Sequence, residues 1–344
     1  MISQLSDLFL LILVSASAAW IGGPFWIRLA RRFALVDVPG SAPHKTHLRV
    51  TPLAGGLVLA SALALAYLVS RPEVSRGLVG ILVGTAVVVA GGLADDRRSL
   101  PPTAKLGIQL VAGLILIAGG VQVHFTRIPL LDLLVTLLWV VGLTNAFNFV
   151  DSMDGLALGL AAVAASFFLL VTIDAVQPEL AALSAALLGA VAGCLFYNIT
   201  PAKLFLGDSG SQLLGFLLAA LGIAYTPGQA GLPQALTWFI PIVVLGVPIF
   251  DATLVVVSRL RRRQPIYHAG LDHTYHRLVS LGLDSSRSVL GMQLAALLLA
   301  LTAFVVMDTS VWAANAVFVV LLGVGVGLLV FFEVRWAPPS GARP

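Results

Sequence analysis

Long apolar runs recur along the chain without the strict alternation of a half-buried strand. They cover approximately residues 8–27, 53–70, 77–94, 105–120, 130–146, 156–173, 180–197, 211–225, 236–257, 288–307 and 311–332. A bilayer-crossing helix needs about 20 mostly apolar residues. In lipid every backbone N–H and C=O must be satisfied internally, which leaves helices or a closed barrel, and runs of this kind predict helices. The expectation is an all-α, polytopic integral membrane protein with about eleven transmembrane helices, forming one domain over residues 1–344. Several runs are short, at about 16 residues, so ten crossings is the neighbouring count. The first cation, Arg28, follows the first apolar run. That segment lacks the basic start of a cleaved signal peptide and reads as a retained span.

The polar residues between the runs sort by face. Loops at 28–52, 95–105, 145–155, 198–210 and 258–287 fall on one side with the C-terminus. That side carries 17 of the 20 Lys and Arg, and the other carries only Arg71, Arg76 and Arg127. The positive-inside rule makes the first side cytoplasmic, with the N-terminus outside and the C-terminus inside. Composition agrees: 59% of residues are hydrophobic, 10% are charged and the mean hydropathy is +1.00, against about 25% charged in a soluble domain. Cys194 is the only cysteine, which excludes an intramolecular disulfide.

Every polar motif lies on the basic side. In GGLADDRRSLPPTAK, Asp95 and Asp96 are adjacent carboxylates at the edge of hydrocarbon. Such groups are costly unless paired, hydrated or bound to a cation. Helix neighbours point about 100° apart, so the two need not share one job. In TNAFNFVDSMDGLALGL, Asn145, Asn148, Asp151 and Asp154 recur every three residues, and consecutive pairs can face one way. Oxygen-only ligands suit Mg²⁺ or Mn²⁺.

In YNITPAKLFLGDSGSQLLGF, Gly207 and Gly210 bracket Asp208 at a helix start. There, small residues let backbone N–H groups approach phosphate, with Lys203 as a mobile cation. The loop RLRRRQPIYHAGLDHTYHRLVSLG offers Arg259, Arg261, Arg262 and Arg263 as a topology anchor and anionic-lipid contact. His268, His273, His276 and Arg277 are candidates for a diphosphate or uridine. Lys45, His47 and Arg49 in the first loop are cations suited to a lipid phosphate. Carboxylates ringed by cations suit phosphoryl transfer from a nucleotide diphosphate. A transporter would instead place ionisable groups at midplane. Only Asp132 and Asp251 lie within spans, each towards an end.

The chain resembles the polyprenyl-phosphate N-acetylhexosamine-1-phosphate transferases over roughly residues 37–282. The match runs through Lys45, His47, Pro52, Gly55 and Gly56, then Asp95 and Asp96. It continues through Asn145 to Leu156, Asn198 to Lys203, Gly207 to Ser211, and the histidine loop. Two positions depart from the pattern: Ser152 replaces the common Gly, and Tyr275 replaces one histidine of H-x-H-H-R.

The resemblance implies a UDP-sugar donor such as UDP-GlcNAc, a polyprenyl phosphate acceptor and Mg²⁺. It also implies the bacterial inner membrane, a homodimer, no nucleic-acid partner, and a role in starting a cell-envelope polysaccharide such as O-antigen. By the same resemblance Asp208 and Asp151 serve the metal. Asp95, Asp96, Asp151 and Asp154 serve the chemistry. Lys45, His47, Asn145, Asn148, Asn198, Lys203, His273, His276 and Arg277 bind substrates. A muramyl-pentapeptide transferase is the related alternative.

Overall fold

The computed structural model describes residues 2–40, 49–70, 74–126, 128–226, 238–267 and 270–335. In chain order it contains α1 (Ile2–Arg32), β1 (Val36–Asp37), β2 (Thr51–Pro52), α2 (Gly55–Ser70), α3 (Arg76–Arg98), α4 (Pro102–Ala118), α5 (Pro129–Val150), α6 (Leu156–Asp174), α7 (Pro178–Asn198) and α8 (Gly207–Ala224). These are followed by α9 (Ile240–Val244), α10 (Gly246–Arg261), α11 (Thr274–Ser280), α12 (Ser285–Val306) and α13 (Val311–Arg335). The protein is an all-α polytopic membrane protein. The one sheet described is the antiparallel pair β1–β2, which folds the first loop back on itself.

Local chemistry sets the helix ends. Proline opens α4, α5 and α7, where its missing N–H costs nothing and its fixed φ suits the first turn. Ser75 caps α3 through Leu78 N–H, and Asp284 caps α12 through Arg287 N–H. The expected ninth span, 236–257, is interrupted at Leu245, which joins α9 to α10 with φ −94° and ψ 18°. Pro248 has no N–H to give the carbonyl four residues earlier, which accounts for a break there.

Seven described helices are long and apolar enough to cross a bilayer: α1 over Leu5–Arg32, α3, α5, α6, α7, α12 and α13. Helices α2 and α4, with 16 and 17 residues, reach only about 24–26 Å. Burial separates centre from rim. The apolar windows of α6 and α7 are 72% buried, whereas that of α13 is 6% buried. Helix α8 is enclosed by α3 and α5, its buried residues running without a break from Ser209 to Leu221.

Contacts between loops define two ends. At one, Leu53 bridges Phe205, Asp154 meets Ala202, and Phe149 packs edge-on against His273. At the other, Ser75 meets Glu179, Gln177 meets Thr226, and Phe125 packs on Trp238. With Lys105 and Asp96 meeting Asp208 at the first of these ends, described residues of all five motif-bearing loops share it.

Candidate active site

Helix α3 delivers the paired aspartates in its last turn. The Asp95 side chain is 4% exposed, accepts Leu100 N–H, and forms an ion pair with Lys105. The same ammonium donates to Asp208 Oδ2 at 2.7 Å. Lys105 lies in the first turn of α4. It is a monovalent cation shared by two carboxylates from different helices.

Asp96 turns the other way, towards the start of α8. Its Oδ1 accepts Asp208 N–H at 2.7 Å, and its Oδ2 accepts Ser209 N–H at 3.2 Å and Ser209 Oγ–H at 2.8 Å. A carboxylate from α3 thus caps α8, where unpaired N–H groups and the positive dipole end favour negative charge. This corrects the expectation that the GDSGS turn offers its N–H groups to phosphate, since Asp96 already occupies two of them. The small residues serve that approach. Gly207 has φ +69°, and a Cβ there would stand 2.7 Å from Asp96 Oδ2; at Gly92 it would stand 2.4 Å from Ser209 Cα.

Helix α5 adds Asn148, which donates to Asp208 Oδ1 at 2.7 Å and to Ser211 Oγ at 3.0 Å. Asn145, one turn earlier, instead forms an amide pair with the buried Gln109 of α4 at 2.7 Å. Asp151 ends α5, within electrostatic reach of Asp96 and Asp154, and among the described residues nothing donates a hydrogen bond to its carboxylate. Burial pushes its carboxyl well above the usual carboxylate range, and the two neighbouring charges push the same way.

Asp154 and Asn198 have structural partners. Asp154 Oδ2 accepts Ala202 N–H at 3.0 Å. Asn198 accepts Gly155 N–H at 2.9 Å and donates to Leu204 C=O at 3.0 Å. Both of its polar atoms are used in joining two loops, and at 2% exposure it offers no surface to a substrate. Lys203 lies over the Phe196 ring and lines a cleft of about 180 Å³ with Arg31 and Arg49. Lys45, His47 and His268 lie outside the described residues.

The histidine loop is built on buried ion pairs. Asp251 Oδ2 stands 2.9 Å from His273 Nδ1, and its Oδ1 accepts Thr274 N–H at 2.6 Å. Tyr275 stacks at 12° to His273, meets His276 Nε2 at 2.5 Å, and interacts with Ser152. Arg277 is turned into the protein. It is 1% exposed and donates to Asp272 C=O at 3.1 Å and Glu333 Oε1 at 2.7 Å.

Two members of the arginine cluster bind this loop, and a third binds α13. Arg259 binds Asp272 with two nitrogens at 2.9 and 3.0 Å, Arg262 reaches the same carboxylate at 2.7 Å, and Arg261 pairs with Glu333. Burial would raise the Asp272 carboxyl, but hydrogen bonds from Arg259 and Arg262, with the charges of Arg259 and His273, bring it down to about 2.

Among the described residues no three His, Cys, Asp or Glu side chains form a metal cage. Mg²⁺ rarely has one, being held by one or two carboxylates together with substrate phosphates. The donor set fits that ion. Asp151 is an undonated carboxylate that feels the charges of Asp96 and Asp154, and Asp208 donates its N–H to Asp96 while its carboxylate is bridged to Asp95 by a cation.

Residues 78–226 match the family model described as glycosyl transferase family 4. The chain is 31% identical over 322 residues to the Bacillus subtilis protein named "Probable undecaprenyl-phosphate N-acetylglucosaminyl 1-phosphate transferase", covering 90% of this chain and 88% of that protein. It is 35% identical over 301 residues to a decaprenyl-phosphate N-acetylglucosaminephosphotransferase of Mycolicibacterium smegmatis, covering 77% and 74%. It is 31% identical over 299 residues to a phospho-N-acetylmuramoyl-pentapeptide-transferase of Symbiobacterium thermophilum, covering 77% and 86%. With the matched region spanning the paired aspartates, the Asn148–Asp154 segment and the Asp208 turn, the chain belongs to the polyprenyl-phosphate N-acetylhexosamine-1-phosphate transferase family.

Proposed function

We propose that this protein transfers GlcNAc-1-phosphate from UDP-GlcNAc to polyprenyl phosphate, forming polyprenyl-diphospho-GlcNAc and UMP. The observation that carries the reading is the meeting of Asp95, Asp96, Lys105, Asn148 and Asp208, from four helices, at the end that also holds the histidine loop. An oxygen of the lipid phosphate attacks the sugar-bearing phosphorus of the donor. One P–O bond forms, the bond to the bridging oxygen breaks, and UMP leaves with that oxygen and the electron pair.

Bound Mg²⁺, held by Asp208 and Asp151, would neutralise the diphosphate and the charge on departing UMP. Lys105 is placed to meet phosphate oxygens when they displace one of its two carboxylates. His273, held through Nδ1 by Asp251, would offer its other ring nitrogen to the donor. Asp95 or Asp96 takes any proton on the lipid phosphate. The site faces the cytoplasm of a bacterial inner membrane, with eleven crossings, the N-terminus outside and the C-terminus inside.

The test is a donor panel. The purified protein, with one polyprenyl phosphate, is given UDP-GlcNAc, other UDP-hexosamines and the UDP-muramyl-pentapeptide, with and without Mg²⁺. UMP release and label in butanol-extractable lipid are measured. UDP-GlcNAc is expected to lead, and the muramyl donor would lead if the related reading holds. Asp208→Ala is expected to abolish UMP release while the protein still inserts. Near-normal turnover in that variant would remove Asp208 from the metal role.

A further inference from the structure

Helix α13 carries no motif, and its apolar window is the least buried of the candidate spans. Within Val311–Arg335 its only acid is Glu333, two residues from the end. An acid on a lipid-facing helix is costly unless it has a partner. This one has three: Glu333 Oε1 accepts from Arg277 Nη1 and Oε2 from Arg261 Nη1, each at 2.7 Å, and the Ser258 hydroxyl hydrogen-bonds to the same carboxylate. The carboxylate is 9% exposed, Arg277 1% and Arg261 61%. The exposed pair contributes little. The buried pair is different, because removing its acid leaves a cation enclosed without compensation.

Arg277 carries the link inward. Its Nε donates to the carbonyl of Asp272, and its N–H donates to the carbonyl of His273. Asp272 is itself fixed by Arg259 and Arg262, and His273 by Asp251. Releasing Arg277 therefore loosens the segment that presents His273 and His276. The alternative, a topology anchor at a helix end, needs only an exposed cation and would not bury an Arg–Glu pair.

We propose that Glu333 is a positioning residue, through which α13 holds the histidine loop in its donor-binding arrangement by way of Arg277. The role rests on the transferase reading above. If that reading holds, the loss appears in donor binding and not in the chemical step.

The experiment compares wild type, Glu333→Gln and Val334→Ala in the full-length protein, Val334 being the exposed neighbour. Glu333→Gln is expected to raise KM for UDP-GlcNAc about tenfold with kcat held within about threefold, the signature of lost ground-state binding. Amide hydrogen exchange in 270–281 is expected to speed up while 207–224 stays at the wild-type rate. Val334→Ala is expected to match wild type in every measure.

Unchanged KM, unchanged exchange, an equal effect in Val334→Ala, or a fall in kcat at constant KM would each overturn the proposal. If Glu333→Gln does not insert, Arg277→Lys, which keeps the charge and loses the fork, is read by the same criteria. A wild-type protein that transfers no sugar overturns the transferase reading, and the exchange comparison alone then decides whether Glu333 tethers the loop.

Discussion

Asp272 shows how much a single carboxylate can organise, and its charge gives a pH-dependent expectation. Its folded-state pKa of about 2 lies below the ordinary value of about 3.9. A depressed carboxylate stabilises the fold above the unfolded value, and that contribution fades as pH falls from about 4 to about 2. The shift corresponds to roughly 2–3 kcal/mol. Asp272→Asn is expected to lower the thermal midpoint in detergent at pH 7 and to flatten its decline between pH 4 and 2. A neutral-pH midpoint equal to wild type would show that Arg259 and Arg262 do not depend on this acid. The sequence named Asp95, Asp96, Asn148 and Asp208 because polar groups between apolar spans have no packing reason to be there. It gave no role to Lys105 or Gln109. It also missed Asp272 and Glu333 as the partners of the arginines. A pair such as Arg277–Glu333, 56 residues apart, leaves no local periodicity to detect.

Elements meet at the site only where the backbone permits it. Helix α8 starts against α3 because Gly92 leaves room for Ser209 and Gly207 leaves room for the Asp96 carboxylate. Gly207→Ala combines a left-handed backbone, unfavourable by about 1–2 kcal/mol for an L residue, with a Cβ 2.7 Å from Asp96 Oδ2. It is expected to cut UMP release by more than about tenfold with insertion retained, because Asp96 must leave the α8 cap. Gly325→Ala in α13, where a Cβ meets nothing within 4 Å, is expected to stay within about twofold. Comparable losses in both variants would detach the glycine from the site. Helix starts at Pro102, Pro129 and Pro178 follow from local chemistry visible in the sequence. The interruption at Leu245 was hidden, because apolar content continues through it and only Pro248 marks it. The role of the GDSGS turn was misjudged for a related reason: a helix N-terminus attracts any anion, and the sequence does not say that a carboxylate of the same chain reaches it first.

For the whole molecule, orientation is the property on which the others depend. The apolar runs predict eleven crossings, yet only seven described helices have the length and composition to cross unaided. The remainder includes α2, α4 and the divided pair α9–α10, all at or near the site. Helices this short cross by local thinning of the bilayer or by burial against neighbours, so span counting from hydropathy is weakest where the chemistry lies. Contacts between loops supply what hydropathy lacks, because they assign each loop to an end. By sequence the motif-bearing loops and the C-terminal tail hold 17 of the 20 cations, so the positive-inside rule predicts a cytoplasmic position for the motif end. In a background with the buried Cys194 replaced by alanine, single cysteines at Val176 and Ser310 are expected to react with a membrane-impermeant maleimide on intact cells. Cysteines at Tyr267 and Leu283 are expected to react only after permeabilisation. Val176, Tyr267 and Leu283 are exposed, so protection would report the membrane and not packing. The reverse pattern would place the donor site outside, where a cytoplasmic UDP-sugar does not reach it. Labelling of Val176 without Ser310 would mean an odd number of crossings between them, and one of the short helices near the site would then be re-entrant.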